Sequence, residues 1–405
     1  MRVLVVQYSG DYRQAAQHFS AGQQETYYAQ KHSVDSVAKL SGYAEEVGVL
    51  CCMTAETYSE VLPNGVRAIG AGFSEKIDIK KVIQLIEEFQ PTHLIVRTPR
   101  KEIFEWAIQK KVRTIALFAE SVMTRGWRNK IKIYFLVKLL NNPQIEWVGS
   151  YGITSSLVLQ NLGVDAKKII PWDFLLETHP GSLSPKSLKK TDLWNLLYVG
   201  SMLPAKGVGD ILDAVAKLKA KNMDTRLQIV GKDPTGRFLQ QAEQLGIANQ
   251  VEFLGIIPNQ QVEPLMREAD LVIVPSRHSY PEGFPLVIHH ALRSRTPIIA
   301  SDHPMFRNSL THGSSAMIFP AGNSTALAGC VEKLVTDADL YYSLSVRSYE
   351  TWQKLRLPVK WADILDRWLD DSPENKKWLS NYQISSDCYR EKITASLVAN
   401  QFLQA

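Results

Sequence analysis

Pro275-Ser-Arg-His-Ser-Tyr-Pro-Glu-Gly-Phe-Pro-Leu-Val-Ile-His-His-Ala-Leu292 is the stretch around which the chain is organised. It follows an apolar run, Leu271 to Val274, that reads as a buried strand, and its apolar end reads as a helix beginning near Pro285. Proline suits the first helical position, because the N–H it lacks would have no partner there. Glu282-Gly283-Phe284 makes a tight polar turn just ahead of that helix. The N–H groups of Gly283, Phe284 and Leu286 are expected to point outward at the positive end of a helix dipole, which favours an anion, phosphate above all. Glu282 stands beside the turn. It cannot bind phosphate, but it can accept hydrogen bonds from a polyol such as a sugar. The plainer alternative makes Glu282 a solvated loop acid and Pro285 only the start of a core helix.

Outward from this stretch, short apolar runs alternate with amphipathic ones. In the second half, strands are expected at 194–199, 226–230, 251–254, 271–274, 296–300 and 316–319, with helices at 207–221, 236–245, 260–268 and 324–336. In the first half, strands are expected at 2–7, 47–51, 93–96, 113–118, 147–150 and 169–171, with helices at 25–40, 77–89, 101–110 and 154–161. Residues 8–24 read as a long polar loop. Alternation at this pitch means a parallel sheet covered on both faces. Between the halves, Glu177 to Thr191 is rich in proline, serine and lysine and lacks either periodicity, which marks a linker. The expected division is a first domain at 1–178, a linker at 179–191, a second domain at 192–355 and C-terminal helices at 356–405. Two doubly wound sheets facing one another would leave a cleft at the carboxyl ends of their strands.

Composition narrows the function classes. A chain of 405 residues with 45% hydrophobic and 21% charged residues reads as globular, with room for two full cores. No apolar run is long enough to span a bilayer, and Arg2 to Gln7 reads as a strand rather than a signal peptide. Cys51, Cys52, Cys330 and Cys388 show neither metal-ligand spacing nor a disulfide framework, so a reducing cytosol is the simplest setting. Cys51-Cys52 reads as core. A net charge of +5 suggests anionic partners such as nucleotides or lipid head groups, and no nucleic acid is expected. The P-loop and G-x-G-x-x-G patterns are both missing, which argues against a kinase or a dehydrogenase.

A second phosphate signal lies in Leu196-Leu-Tyr-Val-Gly-Ser-Met-Leu-Pro-Ala-Lys-Gly207, a strand running into a glycine-marked loop and then a helix. Lys206 stands at that helix start, where a cation is unfavourable unless an anion is bound as well. A solvated surface lysine is the alternative.

Gly200-Ser-Met-Leu-Pro-Ala-Lys206-Gly, Ile229-Val-Gly231, Val251-Glu-Phe-Leu-Gly255, Ala269 to Ser276, Pro281-Glu-Gly-Phe-Pro285 and Thr296 to Ser301 occur in that order. Together they resemble the retaining, nucleotide-sugar-dependent glycosyltransferases of family four, which have the GT-B fold. The resemblance covers nearly all of the second half. In the first half it rests on Ser20 to Glu25, Val148 to Ser150 and Ile169 to Pro171. It implies two Rossmann-like domains with the donor on the second. Lys206 would pair with the donor diphosphate, and the amides of Gly283, Phe284 and Leu286, on either side of Pro285, would hold phosphate and sugar. Glu282 matches the first glutamate of the family's E-x7-E motif and would bind the sugar. Gly200 and Gly231 lie in the matching donor-side motifs, Ile256 stands at the nucleobase position, and Gly22 would let a first-domain loop approach the diphosphate. The family works without a bound metal or other cofactor, and none is expected here.

The chain departs from the family at three places. The second glutamate of E-x7-E, which grips the ribose hydroxyls, is His290 here. The arginine expected after Gly200 is Ser201, leaving Arg277, His278 or Arg237 to supply the missing charge. The first-domain histidine after the fourth strand is absent, and Glu120 is the polar group left on the acceptor side.

Arg125 to Leu140 is basic and apolar together. It reads as a helix packed on the sheet with its lysines in water, with docking on an anionic membrane as the alternative. Trp352, Trp361, Trp368 and Trp378 read as anchors of C-terminal helices, which by the resemblance cross back to the first domain. Asp387 to Phe402 is expected to form a last helix. The function implied is transfer of a sugar from a UDP- or GDP-sugar to a glycan, a lipid or a polysaccharide precursor, in the cytosol or at the inner face of a membrane. Two alternatives remain, a catalytically silent binding subunit and a sugar-nucleotide epimerase.

Overall fold

Val3, Leu4, Val5 and Val6 are at most 1% exposed, so the first strand is covered on both faces, as a central parallel strand must be. The computed structural model describes residues 1–8, 10–118, 122, 127–174, 180–306 and 309–393. It divides into two compact units, one made of Met1–Leu175 with Leu357–Glu391 and the other mainly of Leu176–Arg356.

The first unit runs β1 (Arg2–Gln7), α1 (Tyr12–Ser20), α2 (Gln30–Leu40), β2 (Glu46–Cys51), β3 (Thr57–Val61), β4 (Val66–Ala71) and α3 (Ile79–Phe89). It continues with β5 (His93–Val96), α4 (Lys101–Lys110), β6 (Arg113–Phe118), α5 (Trp127–Leu140), β7 (Ile145–Tyr151), α6 (Ile153–Asn161) and β8 (Ile169–Trp172). The strands form one sheet in the order β3-β4-β2-β1-β5-β6-β7-β8. Cys51 and Cys52 are buried, and burial pushes their thiols up to about 11 and about 12.

Two elements here differ from expectation. The stretch read as a polar loop holds α1, which Asp11 caps by accepting from the Gln14 N–H at 3.1 Å while Tyr12 and Ala16 turn inward. The sheet also gains an antiparallel edge strand, β3, paired with β4. The signal for this hairpin is Pro63-Asn64-Gly65, where Gly65 takes φ +82° and the Leu62 N–H donates to the Val66 carbonyl at 2.9 Å. Mostly exposed, β3 carries no apolar run to announce it.

The second unit contains β9 (Leu193–Val199), α7 (Val208–Ala220), β10 (Asp224–Val230), α8 (Arg237–Gln244), β11 (Val251–Gly255) and α9 (Asn259–Glu268). Then come β12 (Leu271–Val274), α10 (Leu286–Arg293), β13 (Ile298–Ser301), β14 (Met317–Phe319), α11 (Ser324–Thr336) and α12 (Ala338–Leu355). Its sheet order is β11-β10-β9-β12-β13-β14, all parallel. The order reverses between β9 and β12, so the loops after these two strands leave the sheet side by side at a topological switch point.

The proline- and lysine-rich stretch read as a linker is mostly exposed where it is described, but Lys186 anchors it to the second unit. Lys186 is 8% exposed; its ammonium donates to the Arg267 carbonyl at 2.8 Å and also to that of Ala269, and its backbone N–H donates to Ser345 Oγ at 2.7 Å. Burial lowers that ammonium to about 8, with the Asp270 charge acting the other way.

Beyond α12, the helices α13 (Trp361–Asp370) and α14 (Pro373–Asn381) belong to the first unit. The Asp173 N–H donates to the Val359 carbonyl at 3.0 Å, and Trp368 Nε1 reaches Glu146 Oε2 at 3.0 Å. Trp352, Trp361 and Trp368 are buried and Trp378 is half-buried. The expected helix from Asp387 begins as one turn of 3-10 helix, Asp387–Tyr389, and its far end lies outside the described residues.

In α5, Ile133, Leu136 and Leu140 face the core. Ile131, Tyr134 and Phe135 do not: they are 51%, 66% and 51% exposed beside the exposed lysines Lys130, Lys132 and Lys138. The expectation of a packed helix with only its lysines in water therefore holds for one face alone.

Candidate active site

The two loops at the β9–β12 switch point lie against each other. The Arg277 N–H donates to the Ala205 carbonyl at 2.9 Å. Gly207 has φ +76°, and a Cβ built on it would stand 2.2 Å from the Pro275 carbonyl oxygen, so only glycine fits. This contact carries Lys206 across to Glu282. Lys206 Nζ reaches Glu282 Oε1 at 2.5 Å, and Ser276 Oγ donates to the same oxygen at 2.5 Å. The Lys206 ammonium also sits 4.2 Å from the centroid of the Tyr280 ring, a cation–π position. Glu282 is 5% exposed, so it is no solvated loop acid. Its burial is tolerable because a cation and a hydroxyl meet it.

The turn expected to hold an anion has the expected amides but a shifted frame. α10 starts at Leu286, and Pro285 is its N-cap, with φ −69° and ψ 130°, rather than its first residue. The Pro285 carbonyl accepts the first bond, from the Ile288 N–H at 3.0 Å. Among the described residues, the amides of Gly283, Phe284, Leu286 and Val287 donate to no backbone carbonyl. Phe284 itself is 6% exposed and packs edge-on against His289 and Phe306, which holds the turn in place.

Gly200 and Gly231 do not offer their amides to a ligand. The Gly200 N–H bonds the Val230 carbonyl and the Gly231 N–H bonds the Gly255 carbonyl, each at 2.9 Å. Their part is close passage of two chains: a Cβ on Gly231 would meet the Gly200 carbonyl oxygen at 2.0 Å. Ser201 is exposed, and its carbonyl accepts from the Tyr198 hydroxyl at 2.8 Å. Ile256, 60% exposed, follows directly on β11.

Of the cations named for the missing charge, Arg277 is held by the buried Asp210 through two bonds, at 2.9 and 2.5 Å. His278 Nε2 meets Asp302 Oδ1 at 2.7 Å. Arg237 is exposed at the start of α8. His303 lies under this loop; burial lowers its imidazole, partly offset by its hydrogen bond with the Tyr280 carbonyl at 3.1 Å. His290 is 6% exposed and faces Glu263 of α9, its Nδ1 3.8 Å from Glu263 Oε2. Gly22 belongs to the first unit, in the turn after α1 at φ +72°. Glu120 lies outside the described residues.

Ser276, Tyr280, Asp210 and Glu263 were not singled out from sequence. Only Ser276 and Tyr280 had a signal, their place inside the quoted stretch. Among the described residues, no group of three His, Cys, Asp or Glu side chains is placed to hold a metal. The sequence has one Asp-x-Asp triplet, Asp337-Ala-Asp339, and there Asp337 caps α12 by accepting from the Leu340 N–H at 3.0 Å.

Two parallel-sheet α/β units of this topology make a GT-B fold, and a lysine–glutamate pair stands beside a helix amino end at the switch point of the second. Solved structures share the fold. Sucrose-phosphate synthase of Thermosynechococcus elongatus superposes with TM-score 0.64 over 91% of this chain and 98% of that one, at 15% identity. HepE of Anabaena, in complex with UDP-glucose, superposes with TM-score 0.60 over 88% and 95%, at 16% identity. Residues 182–351 match the family described as Glycosyl transferases group 1. A phosphatidyl-myo-inositol mannosyltransferase of Mycobacterium leprae is 33% identical over 132 residues, 33% of this chain and 34% of the relative. The chain spans 34% to 41% of the length of the first four curated relatives it matches. No helix among the described residues is long and apolar enough to cross a membrane.

Proposed function

We propose that the protein is a retaining glycosyltransferase that moves a sugar from a nucleoside-diphosphate sugar, with uridine or guanosine as the nucleoside, to a hydroxyl acceptor. The observation that carries this is the pairing of Lys206 with Glu282 at the uncapped amino end of α10. In the reaction the bond from the anomeric carbon to the diphosphate oxygen breaks. Negative charge grows on the leaving diphosphate, and positive charge grows on the sugar ring. Lys206 and the amides of Gly283, Phe284, Leu286 and Val287 stabilise the first, and this kind of preformed donor set is usually the largest catalytic term. Glu282 accepts from sugar hydroxyls. The acceptor oxygen bonds the anomeric carbon on the face the diphosphate leaves, and its proton passes to a phosphate oxygen, so no protein nucleophile is needed. The charge is met without a bound metal.

The test is a screen of sugar nucleotides for release of nucleoside diphosphate, run with chelator and with candidate acceptors. Release that needs an acceptor and survives the chelator is expected. Conversion of the donor with no acceptor present would mean an epimerase. Failure to bind UDP, GDP or ADP by calorimetry would leave a silent subunit.

For the acceptor we favour a lipid-linked or membrane-surface molecule. The outer face of α5 sets Ile131, Tyr134 and Phe135 among Lys130, Lys132 and Lys138. Aromatic side chains ringed by lysines suit an anionic lipid surface, each lysine contributing about 1 kcal/mol. The protein is expected to sediment with vesicles containing phosphatidylserine but not with purely phosphatidylcholine vesicles. Tyr134→Ser with Phe135→Ser should release it. Unchanged sedimentation of that double variant would remove α5 from the picture.

A further inference from the structure

The residue eight positions after Glu282 is His290, so α10 offers no carboxylate for the vicinal hydroxyls of a ribose. The neighbouring helix does. Glu263 projects from α9 to the His290–Arg293 edge of α10, where Arg293 Nη2 holds its Oε2 at 2.9 Å and His290 Nδ1 lies 3.8 Å from the same oxygen. We propose that Glu263, set in place by Arg293 and His290, is the residue that accepts hydrogen bonds from the donor's ribose diol. The inference rests on the donor reading above and deepens it.

Three observations support it. Leu286 or Val287, His290 and Arg293 recur at helical spacing, so they form one stripe that starts at the anion turn. His290 stands one turn, about 5.4 Å, beyond Leu286. A nucleoside attached to a diphosphate at that turn therefore has the α9–α10 seam within its reach. Second, the Glu263 side chain is 26% exposed while His290 and Arg293 are 7% and 5% exposed. The carboxylate is thus the most exposed member of the cluster, and Arg293 and His290 both approach it at Oε2. Third, the charge is maintained. Burial alone would raise the Glu263 carboxyl, but the His290 and Arg293 side chains beside it outweigh burial and hold it below the usual carboxylate range.

A carboxylate has two oxygens and accepts from both hydroxyls of a diol, which an imidazole cannot do. A second glutamate at position 290 would face Glu263 at close range with like charge. A histidine there brings no negative charge against it. One acidic group thus serves the site, placed on α9 rather than α10.

The test reads ribose recognition directly, which a merely structural role would not move. UDP and GDP are titrated into the full chain beside their 2′-deoxy and 2′,3′-dideoxy forms. The wild type is expected to prefer the ribose form by roughly tenfold to a hundredfold, the worth of a charged hydrogen bond. Glu263→Gln keeps the volume and can still accept from Arg293, and it should bring the two forms within about twofold of each other. Adding His290→Glu to Glu263→Gln returns a carboxylate to the seam and should restore the preference. A Glu263→Gln protein that keeps the full preference overturns the inference, as does a wild type that binds the diphosphates without any preference. If the wild type binds neither UDP nor GDP, the donor reading itself fails, a result distinct from both.

Discussion

Lys206→Ala is expected to cut sugar transfer by about a hundredfold to a thousandfold and to lower the melting temperature at the same time. The two effects have one origin. The Lys206 ammonium is 15% exposed and sits against a Glu282 carboxylate that is 6% exposed. Removing it takes a cation from the leaving group, and it also leaves a buried carboxylate without the charge that faces it. Breaking a buried pair from one side typically costs about 3–5 kcal/mol, and the Ser276 hydroxyl at 2.5 Å keeps the figure toward the lower end. A second variant separates the effects. Lys206→Met combined with Glu282→Gln has no buried charge to strand, so it should recover stability without recovering transfer. Thermal melts and kcat/KM on the same preparations check both. Turnover close to wild type in Lys206→Ala would remove Lys206 from the mechanism.

Glu282→Gln should split binding from chemistry. Glu282 now shares the Lys206 ammonium, so an arriving diphosphate must compete with an internal carboxylate. Neutralising Glu282 frees the cation. The affinity for the nucleoside diphosphate product is then expected to stay level or rise, by up to about tenfold, or about 1.4 kcal/mol. Transfer moves the other way: the sugar loses a charged hydrogen-bond acceptor that tightens as the ring becomes positive, and kcat should fall by about a hundredfold. Calorimetry with UDP and GDP, set beside steady-state rates, decides the matter. If the variant loses product affinity as steeply as it loses rate, Glu282 is holding the loop together rather than holding the sugar.

Much of the second unit was legible in the sequence because its signals are local. Leu271 to Val274 and Ile298 to Ala300 are apolar at every position, which only a strand covered on both faces uses, and the structure buries all of them. The turn at Glu282-Gly283-Phe284 before a proline named a helix start to within one residue. Where the signal was weak, expectation failed. α1 is a short helix with few apolar residues, announced mainly by its Asp11 cap. β3 is an exposed edge strand, held by pairing with β4 rather than by burial. The exposed aromatic face of α5 was hidden for a different reason. Composition shows that a helix is both apolar and basic, but which apolar residues find a neighbour depends on what packs beside it.

The sequence alone determined two α/β halves, the strand-to-helix turn that suits an anion, and Glu282 and Lys206 as separate candidates. These follow from β-branched runs, helical spacing and the chemistry of a proline beside a glycine, all set within a few residues. Only the tertiary structure joined the candidates. Lys206 and Glu282 are 76 positions apart, and they meet because β9 and β12 are neighbours at the point where the sheet order reverses. Glu263 reached the His290–Arg293 edge in the same way, through the packing of α9 on α10. Strand order and helix contacts are the outcome of long-range packing, and local periodicity carries no record of them.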